Sequence, residues 1–325
     1  MHRRSLLAAL AAAPLLSLCS TARAQPSRGK LKSLARDEHG TTFWLALDHA
    51  PFPAGGSAYR DDTVIVFVPN HYRFRAGEDV PTLVHLHGHN TSADRAMTGH
   101  ELRQQLADSR QNALLVVPQL AFEAADSSCG KLESSGGLAR LLSEAVATVA
   151  HEGRAALGQS AFPADAPLGT VCLSAHSGGY HAASCCLRLG GVDVREAYLF
   201  DALYCELDAF REWVVARRGA PFRRRHKMVS YYTSGGTTQA QNDLLRSELD
   251  RAGVQCAHEE QEGELSRRIL SHAEAVFVRT GLWHSNVTWE TNALRDCLYA
   301  SALPRHLPTT WFARESGARP LERRR

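Results

Sequence analysis

The sequence lacks a long hydrophobic run beyond its first residues, and it lacks an excess of charge. No apolar stretch after residue 24 approaches the roughly 20 residues that a membrane-spanning helix needs. Residues 1–24 hold three arginines and no acid, so without them Lys plus Arg falls from 37 to 34 and equals Asp plus Glu. A membrane segment is therefore not indicated after residue 24, and neither is a basic surface for nucleic acid.

Cysteine pairs at metal-binding spacing are also missing. Seven cysteines follow residue 24, and none belongs to a Cys-x-x-Cys pair, which argues against the common type of structural zinc site. Because seven is odd, at least one thiol is unpaired, and Cys172 in an apolar stretch is expected to be a small buried residue. Spacing alone does not define which of the others form disulfides.

The first 24 residues have the three parts of an export signal. Arg3-Arg4 form a basic start, residues 6–18 an apolar middle, and Ala22-Arg23-Ala24 a small-x-small cleavage site. The paired arginines and the alanine-rich middle fit the twin-arginine route and the general secretory route equally well. We therefore expect cleavage after residue 24 and a periplasmic or extracellular bacterial protein, with the route left open.

Short apolar runs alternate with amphipathic stretches along the rest of the chain. This pattern predicts a mostly parallel α/β sheet with helices on both faces. The first three strands have no helix between them, so we expect an antiparallel start. We expect one catalytic domain over residues 25–304 and a flexible tail over residues 305–325. Strands are predicted at 43–47, 63–68, 82–87, 113–117, 169–174, 197–201, 228–232 and 275–279, and helices at 92–109, 137–156, 178–189, 207–217, 238–251 and 287–300.

The pentad Ala175-His176-Ser177-Gly178-Gly179 joins the fifth predicted strand to a predicted helix. A serine flanked by small residues at a sharp strand-to-helix turn is the pattern of a nucleophile elbow. Small flanking residues are needed there because the backbone is strained and its neighbours approach closely. An ordinary glycine-containing turn is the alternative, but the strand before and the helix after favour a nucleophile.

Eight predicted strands, a serine turn after the fifth and a histidine after the eighth resemble the α/β-hydrolase superfamily. The resemblance covers nearly the whole chain, roughly residues 43–300. It implies a mostly parallel eight-stranded sheet with helices on both faces and little or no lid. The longest segment without a predicted strand or helix, residues 119–136, follows the fourth strand and should overhang the site. Such motifs indicate the fold and the serine mechanism better than they indicate the substrate.

The resemblance also implies a histidine base after the last strand, because serine is a poor nucleophile until a base takes its proton. His284 lies just past the predicted strand 275–279 and just before a helix. His272 and His226 precede their strands, which puts them at the wrong edge of the sheet. His284 is therefore the predicted base.

A carboxylate should fix the tautomer of that histidine and stabilise its charged form. Superfamily members usually take it from the end of the seventh strand, but no acid follows that strand here before Asp243. The sixth strand ends on Asp201, within reach of the same histidine, so Asp201 is the predicted acid. Its alternative role is to cap the following turn, and Glu206, Asp208 and Asp243 are poorer candidates.

Attack by the serine creates an oxyanion, which needs preorganised backbone donors. The resemblance implies that one donor is the amide of Gly178, directly after the nucleophile. The other would be the amide that follows the His87-Gly88 pair after the third strand, which is that of His89.

The same stretch carries a rival hypothesis. His85, His87 and His89 alternate and would face one side of an extended strand, as metal ligands do. However, no Asp-His follows them, as metallo-β-lactamase-like hydrolases require, and the chain lacks the eight βα units of an amidohydrolase barrel. Gly88 should also break the extended backbone. A zinc-dependent hydrolase on these residues is thus the weaker hypothesis, and no metal or cofactor is expected.

The sequence thus predicts an exported serine hydrolase that works through an acyl-enzyme with Ser177, His284 and Asp201. The first expectation for its substrate is a small or polymeric carboxylic ester, because a near-lidless domain with a His-Gly oxyanion loop resembles secreted esterases. A serine peptidase or amidase on the same fold is the alternative. A catalytically inactive binding protein is the third possibility.

Overall fold

The computed structural model describes residues 27–305. The predicted export signal and nearly all of the predicted tail lie outside this range. Within it, ten strands form one sheet. They are β1 (Lys30–Arg36), β2 (Gly40–Ala46), β3 (Thr63–Pro69), β4 (Val80–Leu86), β5 (Leu114–Pro118), β6 (Leu168–His176), β7 (Val194–Phe200), β8 (Lys227–Thr233), β9 (Cys256–Glu259) and β10 (Ala275–Thr280).

The strand order across the sheet is β1-β2-β3-β5-β4-β6-β7-β8-β10-β9. The pairs β1–β2, β2–β3 and β3–β5 are antiparallel, and the remaining pairs are parallel. The exchanged order of β4 and β5, followed by consecutive parallel strands, is that of the α/β-hydrolase fold. The predicted fold class is confirmed, and the eight predicted strands correspond to β2 to β8 and β10.

Two parts of the strand prediction are wrong. The third predicted strand does not belong to an antiparallel start, because β4 lies between β5 and β6 and is parallel to both. The sheet also has two edge strands that the pattern did not predict. β1 is exposed along most of its length and β9 has only four residues, so neither shows the apolar periodicity that marks a strand.

The helices differ from the prediction mainly at their ends. The segment predicted as one helix at 92–109 is two, because Glu101 adopts a left-handed φ of 48°. The last helix begins at Ala293 instead of residue 287, and a short helix at Arg267–His272 was not predicted. None of the helices within residues 27–305 is long and apolar enough to cross a membrane. The helices are α1 (Ala93–Gly99), α2 (Leu102–Ser109), α3 (Gly137–Glu152), α4 (Arg154–Leu157), α5 (Tyr180–Leu189), α6 (Leu207–Val215), α7 (Thr237–Arg251), α8 (Arg267–His272) and α9 (Ala293–Tyr299).

Two apolar cores cover the two faces of the sheet. Along β3, Val64 and Val66 pack into the core that contains α3 and α5, while Ile65 and Phe67 pack into the core that contains α1, α2 and α9. Alternate side chains of a strand point to opposite faces. A strand buried on both faces is therefore an unbroken apolar run, and β3 has that sequence.

The seven cysteines of the described chain are all free thiols. Cys172 is fully buried in β6, as its apolar surroundings predicted. Three others, Cys129, Cys185 and Cys186, lie close together, the last two in the middle of α5.

Candidate active site

Ser177 lies at the turn from β6 into α5, at the carboxyl edge of the parallel strands. Its φ is 52°, a left-handed value that is unfavourable for a residue with a side chain. A short 3-10 turn, Ser177–Gly179, leads directly into α5. The serine is partly exposed. A strained, accessible serine between a strand and a helix has the geometry of a nucleophile elbow.

The end of β4 approaches this turn so closely that only glycine fits. A Cβ atom on Gly88 would lie 2.7 Å from the Cβ of Ser177 and 3.0 Å from the carbonyl oxygen of His176. A Cβ atom on Gly178 would overlap the ring of His89. The two residues predicted to supply oxyanion donors, Gly178 and His89, are therefore in contact. Glycine is required at Gly88 by the close approach to the Ser177 turn and at Gly178 by the ring of His89.

His284 and Asp201 are hydrogen-bonded to each other. The Nδ1 atom of His284 donates to Oδ2 of Asp201 over 2.6 Å. His284 begins a 3-10 turn after β10 and its side chain is 42% exposed, whereas Asp201 follows β7 and is buried. Only β8 separates β7 from β10, so the loops after these strands meet at one edge. The structure thus brings together the predicted base and the predicted acid.

Asp201 is held by donors from the end of β8 and the start of α7, the region after β8 where the superfamily more often places the acid itself. It accepts the amide of Thr233 at 3.1 Å and the hydroxyls of Thr233 and Thr238 at 3.0 Å and 2.5 Å. Burial by itself raises the pKa of Asp201, but the bonds from His284, Thr238 and Thr233 outweigh it and lower the pKa to about 2. The carboxylate is therefore charged at any ordinary working pH.

The three other acids that the sequence offered are paired elsewhere, so the geometry agrees with their lower ranking. Their partners are His181 for Glu206, Arg211 for Asp208 and Arg246 for Asp243.

No hydrogen bond joins Ser177 to His284 within residues 27–305; the ring of His176, the residue before Ser177, packs against His284 instead. Its ring centroid is 4.7 Å from that of His284, and its Nε2 atom is 3.0 Å from the carbonyl oxygen of His284. Tyr204 borders the serine as well: burial and the charge of Asp201 raise the pKa of Tyr204, and a hydrogen bond with Ser177 partly offsets the rise. Catalytic hydrogen bonds are often long without substrate and shorten in the complex.

A row of buried imidazoles lies behind His284. From His176 the row continues to His100 and His85, with ring centroids 4.6 Å and then 5.4 Å apart. Burial lowers the pKa of His176 to about 4 and the pKa values of His100 and His85 well below the ordinary value. These rings therefore stay neutral near pH 7. Sequence reasoning did not detect the row, because its members come from β4, the loop after α1 and the end of β6.

The rival zinc site at His85, His87 and His89 is not formed. His85 bonds the Ser174 hydroxyl at 2.9 Å, and His89 bonds the Ser127 hydroxyl at 2.7 Å. His87 accepts a backbone amide from the segment after β5. The three rings do not converge on one point among the described residues. The reason is that β4 ends at Leu86 and the backbone turns at Gly88, so the alternation expected on an extended strand is lost.

The site opens directly to solvent. Trp283, next to His284, is 81% exposed. The loop 119–136, which was predicted to overhang the site, borders it, because its Ser127 contacts His89. A cavity of about 700 Å³ lies at the opposite, amino edge of the sheet, between residues such as Arg73 and Arg195, and none of the three predicted catalytic residues lines it.

No protein-family model matches this chain, and no curated protein sequence matches it. Among solved structures it is similar to an S-formylglutathione hydrolase from Agrobacterium tumefaciens, at 13% identity and a TM-score of 0.44, over 84% of this chain and 99% of that one. It is also similar to the feruloyl esterase module from Clostridium thermocellum, at 12% identity and a TM-score of 0.46, over 87% of this chain and 98% of that one. A third similar structure is the fluorophosphonate-binding serine hydrolase F of Staphylococcus aureus, at 11% identity and a TM-score of 0.44, over 84% of this chain and 98% of that one. Likeness this distant decides nothing about activity.

Proposed function

We propose that the protein is an exported serine hydrolase that cleaves carboxylic esters. Ser177 is the nucleophile, His284 the general base and Asp201 the acid that orients it. The observation that carries the proposal is the 2.6 Å bond between His284 and buried Asp201, at the same sheet edge as the strained Ser177. Export is supported by the basic start, apolar middle and cleavage pattern of residues 1–24.

The reaction proceeds in two halves. The Oγ atom of Ser177 attacks the ester carbonyl while Nε2 of His284 takes the hydroxyl proton, and the amides of Gly178 and His89 stabilise the resulting oxyanion. His284 then gives that proton to the departing alcohol, which leaves an acyl group on Ser177. Water, deprotonated by His284, attacks the acyl-enzyme; the bond to Ser177 then breaks, His284 returns the proton to Oγ of Ser177, and the carboxylic acid is released.

Asp201 has an electrostatic role in both halves. Its carboxylate is ionised, so it accepts a proton only as a hydrogen bond from Nδ1 of His284. This bond keeps the proton on Nδ1 and leaves the lone pair of Nε2 free for the serine. When His284 becomes charged, the nearby carboxylate stabilises that charge.

A fluorophosphonate probe and a substrate screen test the proposal together. We expect the probe to label Ser177, located by peptide mass spectrometry, and we expect turnover of short activated esters or a polymeric ester. Labelling with turnover of peptide anilides alone would assign the site to a peptidase. A folded protein that neither reacts with the probe nor turns over any substrate would instead be a binding protein.

The pH dependence of kcat/KM should report the base. His284 must be neutral to accept the serine proton, so activity should rise with pH through one transition and then level off. Burial lowers the pKa of His176 to about 4, so this neighbour is already neutral near pH 7. The measurement is a pH series of kcat/KM on one activated ester.

The matched variants are His284→Ala and His151→Ala, since His151 is an exposed residue at the end of α3. His284→Ala should lose nearly all turnover together with the pH transition, and His151→Ala should retain both. Full activity in folded His284→Ala would remove this residue from the mechanism.

Gly88→Ala should lower kcat by roughly 100-fold, the size of effect expected when one oxyanion donor is misplaced. The added methyl would lie 2.7 Å from the Cβ of Ser177, so the loop that carries the His89 amide must move. Gly99→Ala is the control, because a Cβ there meets no atom within 4 Å. The comparison uses kcat and Tm of both variants; an unchanged kcat in Gly88→Ala would show that this loop supplies no donor.

A further inference from the structure

Two thiols and an imidazole form a cluster outside the proposed catalytic residues. Cys129, His181 and Cys185 each present a potential ligand atom, and the three atoms lie within 4.8 Å of one another. Cys129 belongs to the loop 119–136, whereas His181 and Cys185 stand one turn apart on α5 and therefore share a face. The cluster thus joins this loop to the helix that begins at the elbow.

His181 is oriented as a metal ligand is. Its Nδ1 atom lies 2.6 Å from Oε1 of Glu206, and the same carboxylate accepts the hydroxyl of Ser184. Because a carboxylate accepts, Nδ1 carries a proton, and Nε2 of the neutral ring directs its lone pair toward Sγ of Cys185. Metal-bound histidines almost always donate their second ring N–H to such a carboxylate or carbonyl group.

The separation of two of the donor atoms fits a tetrahedral zinc ion, and the third lies within 4.8 Å of both. Zinc lies about 2.3 Å from sulfur and about 2.0–2.1 Å from nitrogen, so a tetrahedral angle separates the two ligand atoms by about 3.6 Å. The distance from Nε2 of His181 to Sγ of Cys185 is 3.6 Å. Oε1 of Glu133 is 3.7 Å from the same Nε2 and accepts the amide of Cys129 at 2.8 Å, so this carboxylate borders the cluster, although it is not one of the three residues whose ligand atoms all lie within 4.8 Å of one another.

We propose that Cys129, His181 and Cys185, with Glu133 as the fourth ligand, bind a zinc ion that fastens the loop 119–136 to α5. The two thiols bind as thiolates, so their protons are released to solvent as the metal enters. Zinc is favoured because two sulfurs, one imidazole and one carboxylate are ligands it commonly takes. The ion has a structural role and takes no part in the proposed ester hydrolysis.

A disulfide between Cys129 and Cys185 is the competing use of the two thiols. It would account for their proximity, but it gives no reason for a carboxylate to orient the imidazole of His181 toward Cys185. The arrangement of His181 and Glu206 therefore favours metal.

The test uses the whole chain, purified without chelator, and measures bound metal, the Tm and the spectrum with Co²⁺ as a probe. We expect about one zinc per chain, a lower Tm after chelation that Zn²⁺ restores, and a Co²⁺ complex with thiolate charge-transfer and tetrahedral d–d bands. Cys129→Ser and Cys185→Ser should lose the zinc and the Co²⁺ bands. Glu206→Gln should weaken zinc binding roughly 10- to 100-fold, as expected for loss of the orienting carboxylate.

Cys256→Ser is the matched control, because Cys256 lies in β9 outside the cluster, and it should retain one zinc and the full Tm response. Peptide mapping that finds Cys129 joined to Cys185 in protein purified without reductant would overturn the proposal. The proposal would also be overturned if Zn²⁺ does not change the Tm of the folded, reduced wild-type protein, or if its Co²⁺ spectrum lacks thiolate bands. These wild-type measurements decide the question even where a serine variant does not fold, and they need no hydrolytic activity.

Discussion

Ser177→Ala should fold normally and lose kcat by roughly 10⁶-fold, the loss typical of removing the nucleophile of a serine triad. The substitution removes only the hydroxyl, and alanine has the same backbone constraints at φ 52°, so the turn between β6 and α5 should persist. Labelling by a fluorophosphonate probe should disappear at the same time. The measurement is kcat on the best ester of the wild type, with Tm and circular dichroism as checks of folding.

Ser135→Ala is the control for this experiment, because Ser135 is an exposed serine of the loop beside α3. It should retain wild-type kcat and full labelling. If Ser177→Ala keeps near wild-type turnover on every substrate that the wild type cleaves, the covalent serine mechanism is wrong. If it loses turnover but is still labelled, the probe reports a different nucleophile.

The central part of the sheet was predictable because its strands are buried on both faces. β3 to β8 and β10 carry apolar runs that only such burial explains, and the helices between them show the complementary period. The position of β4 inside the sheet was not predictable from its neighbours in sequence. The position of β4 depends on the crossover connection through α1 and α2. The sequence pattern predicts a helix in this connection, but it does not indicate which strand the following strand pairs with.

The edges were missed for a related reason. β1 is held by backbone pairing with β2, and most of its side chains face solvent, so its sequence has no apolar periodicity. A strand that is held mainly by backbone hydrogen bonds need not show an alternation of apolar and polar side chains. The break at Glu101 had only a weak signal, because Gly99 lowers helix propensity without by itself ending a helix, and the left-handed φ of Glu101 is imposed by the fold.

The site was predictable where a residue lies at the end of a well-marked strand. His284 and Asp201 were identified in this way, and they are hydrogen-bonded in the structure, although their catalytic roles remain a prediction. Thr233, Thr238 and Tyr204 were not identified, because a threonine or tyrosine at these positions carries no local signal of its partner. Their contact with the site is purely tertiary.

The cysteine cluster shows the limit of spacing rules. The search for Cys-x-x-Cys assumes that neighbouring ligands come from one short loop. Here Cys129 and Cys185 come from segments 56 positions apart, and the imidazole lies four residues before the second thiol on a helix. The detectable signal would have been His181 and Cys185 at i and i+4, which becomes meaningful only once the third ligand is located.

Asp201→Asn should lower kcat by roughly 10⁴-fold while leaving KM for the same ester nearly unchanged. The amide cannot hold the Nδ1 proton of His284 as the carboxylate does, so the ring can take the tautomer that presents Nε2–H to Ser177. It also lacks the charge that stabilises protonated His284. The measurement is kcat and KM on one activated ester near pH 8, with Tm to verify folding.

Asp243→Asn is the matched control, since this residue lies on α7, is paired with Arg246, and is the first acid after β8. Its kcat should stay within about twofold of the wild type, because a surface pair of this kind contributes little even to stability. The reverse ranking, with activity lost in Asp243→Asn and kept in Asp201→Asn, would place the acid after β8, as is more usual in the superfamily. In that case the 2.6 Å contact of Asp201 with His284 would have a structural purpose only. A comparable loss of kcat in both variants would indicate that neither carboxylate acts through His284 alone.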